Sequence, residues 1–174
     1  MTATEVADLA GYDTATFSDD RAYRYTLTRT WQPGQRTAVW MMLNPSTADA
    51  FQVDPTIRRC IDFSARHGCG ALLVLNLFAL RATNPADMLR HADPVGPSND
   101  DAIRAAADQH ADGLWIAGWG AHGHHLARDR AVQALLADAG IQLHHLGLTQ
   151  AGQPRHPLYV PGAAPLAVLP TRED

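Results

Sequence analysis

Apolar residues along this chain fall in short, regularly spaced blocks. Residues 22–30 (AYRYTLTRT) alternate, and Gln32-Pro33-Gly34 then marks a turn. Residues 37–43 (TAVWMML) follow as a buried strand, so the two blocks predict an N-terminal β-hairpin leading into the sheet. Asp54-Pro55 opens a helix, with the acid as N-cap and proline in the first turn. Its apolar positions are Ile57, Cys60, Ile61 and Ala65, and Gly68 stops it. Residues 71–77 (ALLVLNL) do not alternate, as expected of a strand covered on both faces.

The second half repeats this rhythm. A helix is predicted over about 99–111, opened by Asp100 or a neighbour, and a third central strand over 114–118 (LWIAG). A longer helix runs from about His122 to Ala139, with Leu126, Leu135 and Leu136 inward and Gly140 past its end. Residues 141–147 (IQLHHLG) form a fourth strand, and APLAVL near the C-terminus a short edge element. This order predicts an α/β fold: three α/β/α layers around a central, mostly parallel four-stranded sheet. Residues 1–174 form one domain, with 1–20 expected as a flexible N-terminal segment.

Composition narrows the chemistry. All 14 basic residues are arginine. Without lysine there is no side-chain Schiff base and no phosphate loop ending in Gly-Lys-Ser/Thr. Two cysteines, Cys60 and Cys69, exclude four-cysteine zinc and iron–sulfur sites, and they predict a reduced cytoplasmic protein. The net charge of −4 leaves no basic nucleic-acid arm, so any polyanion would be gripped locally. The stretch MTATEVADLAGYD is acidic and has no apolar run, so no signal peptide is expected. The apolar block GALLVLNLFAL is about half a membrane span.

Open parallel sheets bind ligands beyond the carboxyl ends of their strands. The residues there are Asn44-Pro45-Ser46, Asn76, Trp119-Gly120 and the stretch from Thr149 to His156, all polar, glycine-bearing or aromatic. Asn44, fixed by Pro45, can orient a water or a ligand carbonyl but cannot act as a base; taken alone, the stretch reads first as a plain polar turn. Asn76 ends an apolar strand, where an amide needs a partner. That partner is either the edge of a nucleobase or a neighbouring loop. His156, beside Arg155, can donate to a developing anion, or it is one surface histidine among nine. Arg58 and Arg59 open a helix and suit a phosphate or a solvated face; as neighbours they cannot both point inward. His122, His124, His125, His144 and His145 lack a fixed carboxylate partner, which ranks a metal site low. No Gly-x-Ser-x-Gly elbow is present to support a general α/β-hydrolase.

From about Trp40 to Val160 the chain resembles an uncharacterised bacterial and phage family, a domain of unknown function, with motifs LNPSTAD, DPTIRRC, NLFALRAT, Trp-Gly and HPLY. More distantly, the order of motifs is similar to the uracil-DNA glycosylase superfamily. VWMMLNPS stands where that superfamily has its water-positioning motif, LLVLNLFALRA where an asparagine reads the base, LWIAGWG at a following strand, and HPLYV at the HPSPL loop. HPLY is shorter than HPSPL and lacks its serine.

The resemblance implies a glycosylase-like fold and a monofunctional N-glycosylase that hydrolyses an N-glycosidic bond in DNA or a nucleotide with a positioned water. Asn44 and His156 would be catalytic. Pro45, Ser46, Asp49, Asn76, Phe78, Trp119 and Gly120 would bind the substrate, and Arg58, Arg59 and Arg155 its phosphate. Phe51 and Phe78 are the candidates to stack on the base. A nucleic-acid or nucleotide partner is expected, with no cofactor, metal, membrane contact or obligate protein partner. The alternative from another class is a non-catalytic nucleotide or nucleic-acid binding module with the same pocket.

Overall fold

The computed structural model describes residues 3–8, 11–47 and 51–170. Its centre is parallel. Strand β4 (Arg36–Met42) lies between β5 (Cys69–Asn76) and β6 (Leu114–Ala117), and β7 (Leu143–His145) adds beyond β6, all in one direction. Antiparallel strands widen the sheet at both edges. β1 (Ala3–Ala7), β2 (Thr14–Ser18) and β3 (Arg24–Thr30) add beside β5, and β8 (Ala167–Val168) beside β7. The result is one mixed, eight-stranded sheet, larger than the four strands expected. The segment 1–20 holds β1 and β2.

The predicted hairpin of 22–30 with 37–43 does not form, because β5 lies between the two strands. β5 is buried along its whole length and needs a neighbour on each side. Its backbone also ties down the intended turn: Trp31 N and Gln32 N both donate to Gly70 O, at 3.0 and 2.9 Å. A Cβ at Gly70 would lie 2.3 Å from Gln32 O, so only glycine permits this approach. β3 instead forms its hairpin with β2.

Residues of β4 alternate between two cores. Val39 and Met41 face one side, with Ile103, Ala106 and Ala107 of α3 (Asn99–Gln109) and Val132 and Leu136 of α4 (Arg128–Asp138). Ala38, Trp40 and Met42 face the other, with Ile57, Cys60 and Phe63 of α1 (Pro55–Arg66). Helices therefore cover both faces. Among the described residues, no helix is long and apolar enough to cross a membrane.

Asp54 caps α1 as predicted, its Oδ1 accepting from Ile57 N at 2.8 Å. Asp54→Ala should cost about 1 kcal/mol of stability, with Asp54→Asn close to wild type, as read from urea denaturation. The short helix α2 (Pro85–Arg90), not foreseen, opens with the same device, Asn84 before Pro85.

The helix expected from His122 begins only at Arg128. Residues Ala121–Ala127 form a 3-10 segment that ends with Leu126 and Ala127 at positive φ, and Leu126 is 65% exposed rather than inward. Gly123 lies against the Trp119 indole, where a Cβ would come within 2.1 Å of Cδ1, so the chain wraps the ring before it can turn into a helix.

Candidate functional site

The chain runs from β4 to β5 through α1, then crosses back over β4 to β6. The direction of winding reverses at β4, and such a switch point opens a crevice at the carboxyl ends of the strands. A cavity of about 490 Å³ lies there. Leu43 after β4 and Trp119, Gly120 and His122 after β6 form part of its wall, and Thr149, Arg155, His156 and Tyr159 close it.

Trp119 is held rigidly. Its Nε1 donates to Gln153 Oε1 at 2.6 Å, and Gln153 Nε2 donates to Asp129 Oδ2 at 2.7 Å, all three residues being buried. Gly120 turns the chain at φ +75° and donates its N–H to Pro154 O at 2.8 Å, joining this wall to the His156 loop.

His156 precedes a 3-10 turn over Pro157–Tyr159, and its Nδ1 accepts from Leu158 N at 3.3 Å. That bond leaves the proton of the neutral ring on Nε2, as a donor. Burial holds the His156 pKa below the usual histidine value, partly opposed by the Asp54 carboxylate, so the ring is neutral at pH 7. Tyr159, 77% exposed, packs its ring 5.7 Å from the imidazole.

The other candidates are spread along the same rim. Asn44 Nδ2 donates to Ala82 O at 2.9 Å, which ties the β4 loop to the segment after β5, and to Pro45 O at 3.1 Å within the loop itself. Its Oδ1 is left as the acceptor. Pro45 is buried and Ser46 half-buried beside it, whereas Asp49 lies outside the described residues. Asn76 is 2% exposed at the end of β5, and its side chain has no hydrogen-bond partner among the described residues. Alternation along β5 places it on the α1 face with Leu72 and Val74. Neither Asn44 nor Asn76 lines the cavity.

Several expectations change at this point. Phe78 is fully buried with its ring against His125, 5.6 Å away, and offers no face to a ligand. Phe51 is exposed and not part of the cavity wall; the aromatics that line the cavity are Trp119 and Tyr159. Arg59 is occupied by its own fold, donating to Val160 O at 2.7 Å and Pro157 O at 3.3 Å. It positions the His156 loop, and Arg58 projects from the exposed side of α1. Of the three arginines expected to meet phosphate, Arg155 alone reaches the cavity. The histidines are dispersed, and among the described residues no group of three His, Cys, Asp or Glu is placed to hold a metal ion.

Residues 24–158 match the family described as "Protein of unknown function (DUF1643)". The chain belongs to that family. No curated protein and no solved structure matches the chain. The DUF1643 match takes in the four parallel strands and every strand-end motif above, and it leaves β1, β2 and β8 outside.

Within the DUF1643 region, the polar residues that organise the rim are ones the sequence did not single out. Asn99 Nδ2 donates to the carbonyls of Asn76 and Leu77, at 3.0 and 3.1 Å, and Arg128 Nε donates to Leu77 O at 2.8 Å. A second arm of Arg128 pairs with Asp100. These side chains satisfy the carbonyls freed where β5 ends. Each reads in sequence as an ordinary polar helix position. The one available signal was Asn99 and Asp100 at a helix start.

Proposed function

We propose that this DUF1643 protein hydrolyses an N-glycosidic bond in DNA or a nucleotide. The observation that carries the reading is the His156 imidazole, its Nδ1 accepting from Leu158 N, lining a cavity walled by Trp119 and Tyr159 at the switch point of a parallel sheet. Likeness of its motif order to the uracil-DNA glycosylase superfamily supports it. Aromatic walls suit a planar base, and a neutral donor suits the oxygen of a base that leaves as an anion.

In this reading the base departs with the electron pair of the C1′–N bond, and water delivers hydroxide to C1′ with release of one proton. His156 Nε2 stabilises the charge on the base. Asn44 Oδ1 would orient the water and Asn76, with donor and acceptor side by side, would read the base edge only for a substrate that reaches past the cavity wall, which neither asparagine lines. The substrate lies across the ends of β6, β4 and β5, neighbouring strands about 4.8 Å apart. A base in a duplex would first be flipped out.

One feature favours a second reading, a binding module without catalysis: both Asn44 amide hydrogens are committed to backbone carbonyls, as in a purely structural turn. A single assay separates the two. Oligonucleotides carrying uracil, hypoxanthine or hypermodified pyrimidines, and free nucleotides, are incubated with the protein, and released base is measured by chromatography. Release from at least one substrate is expected. Saturable nucleotide binding with no release from any of them would leave the binding module standing.

A further inference from the structure

Among the described residues three arginines are almost completely buried, and two have obvious partners. Arg29 lies 3.5 Å from an Asp13 carboxylate oxygen and donates to Thr28 O. Arg128 pairs with Asp100 and donates to Leu77 O. Arg24 is the exception. It is 6% exposed, and its Nε is sealed from solvent with no hydrogen-bond partner. Among the described residues no carboxylate lies within ion-pair distance of it. A buried guanidinium with no carboxylate in contact among the described residues is costly to keep.

The backbone brings Arg24 to the rim deliberately. Between β2 and β3, Thr16 pairs with Thr26 but Phe17 with Arg24, so Tyr25 is an extra residue in the ladder. This bulge turns Arg24 onto the same face as its partner Phe17, the α1 face. Arg24 N donates to Ala79 O at 2.9 Å, which fixes the residue beside the chain leaving β5. Because β3 runs antiparallel to β5, the start of β3 sits at the carboxyl end of the parallel strands, near Asn76.

Two further arginines stand nearby. Arg21 and Arg81 hold their guanidinium carbons 4.4 and 5.2 Å from the centre of the Phe17 ring. Arg81 donates to Arg21 O and Thr47 O, both at 2.9 Å, and so joins this cluster to the loop after β4. Burial, reinforced by the charge of Arg81 and opposed by Asp54, lowers the Arg24 pKa to about 10, which still leaves it charged at neutral pH.

We infer that Arg24 anchors an anion subsite at the β3–β5 rim, and that this subsite takes the phosphate of a ligand laid across the strand ends. The planar fork of arginine suits two oxygens of one phosphate. This assignment replaces Arg58 and Arg59 as the phosphate grip. It requires a phosphate-bearing ligand but no glycosidic chemistry, so it goes beyond the proposed reaction.

The test compares the full chain with Arg24→Met and Arg24→Lys. Inorganic phosphate, acetate, a nucleoside monophosphate and a short single-stranded oligonucleotide are titrated at constant ionic strength. Calorimetry and thermal unfolding provide the readouts. Phosphate should raise the Tm of wild type, with acetate doing less. Arg24→Met should match or exceed the wild-type Tm without phosphate, since it removes a buried charge, and should lose the phosphate-dependent rise. Its phosphate affinity should fall by about tenfold or more. Arg24→Lys, which keeps the charge but not the fork, should fall between the two, and it decides the matter if the methionine variant does not fold.

The two phosphate sources separate by affinity: a mononucleotide binding best marks a terminal phosphate, the oligonucleotide a phosphodiester. A wild-type protein indifferent to every phosphate ligand at tens of millimolar would overturn the inference, as would an unchanged phosphate effect in both variants. Phosphate binding that depends on Arg24, together with no base release from any substrate, would sustain the anion subsite and remove the glycosylase reading.

Discussion

His156→Ala should lower the rate of base release by about 100- to 1000-fold, the usual loss when one donor to a developing anion is removed. Nucleotide affinity should change much less, because the cavity walls formed by Trp119 and Tyr159 remain. His156→Gln keeps an N–H of similar reach and should recover part of the rate. A general acid–base role would not be rescued in this way.

The pH dependence has a definite sign. Burial depresses the His156 pKa below that of the unfolded chain. The stability this contributes is therefore present above about 6.5, the ordinary histidine value, and is lost as pH falls through the depressed folded value. Protonation also places a hydrogen on Nδ1, opposite the Leu158 N–H that it accepts in the neutral state. The Pro157–Tyr159 turn should loosen and activity should fall on the acidic side. His110 and His145 are lowered by burial too, so wild-type stability should decline in acid with contributions from all three, and His156→Ala should flatten part of that decline. A pH–rate profile and urea denaturation across pH 5–8 provide the check. A rate that rises on acidification would argue for imidazolium as the working form.

Asp129→Ala should be the most destabilising of these changes, by about 2–4 kcal/mol, in a domain whose total stability is about 5–15 kcal/mol. Asp129 Oδ2 accepts from Gln153 Nε2, and Gln153 Oε1 in turn accepts the Trp119 indole N–H. Removing the carboxylate leaves a buried amide without an acceptor and frees Gln153 to rotate. Gln153 also bolts its loop, since its backbone N donates to Thr149 Oγ1 and its carbonyl accepts from Thr149 N. The damage should therefore reach the cavity wall, with altered Trp119 fluorescence before global unfolding. Asp129→Asn retains an acceptor and should lose about half as much or less. Guanidinium denaturation gives the measurement, and a midpoint for Asp129→Ala within error of wild type would show that the network carries no weight.

Much of this molecule was legible as a linear pattern. The unbroken apolar run at 71–77 and the LWIAG block became central strands, Asp54-Pro55 opened α1, and the APLAVL edge became β8 against β7. Even the rim was legible: Asn44, Asn76, Trp119, Gly120 and His156 all follow or end parallel strands. These are local facts. Burial on both faces removes alternation, an acid before a proline caps a helix, and polar residues collect where a strand leaves the core.

What the pattern did not contain was partnership. Whether 22–30 pairs with 37–43 depends on β5, an element separated from both by a helix, entering between them. Whether Arg59 meets phosphate depends on the carbonyls of Pro157 and Val160, which lie almost a hundred residues away. Arg24 reads as one more polar position of an alternating strand until an unpaired Tyr25 turns it inward. By itself, then, the sequence determined the central strands, helix α1 and the polar residues at the strand ends, because hydrophobic period and capping act over a few residues. Only the tertiary structure decided strand order and which arginines are spent on the fold, because a buried charge takes its meaning from groups that chain topology alone brings beside it.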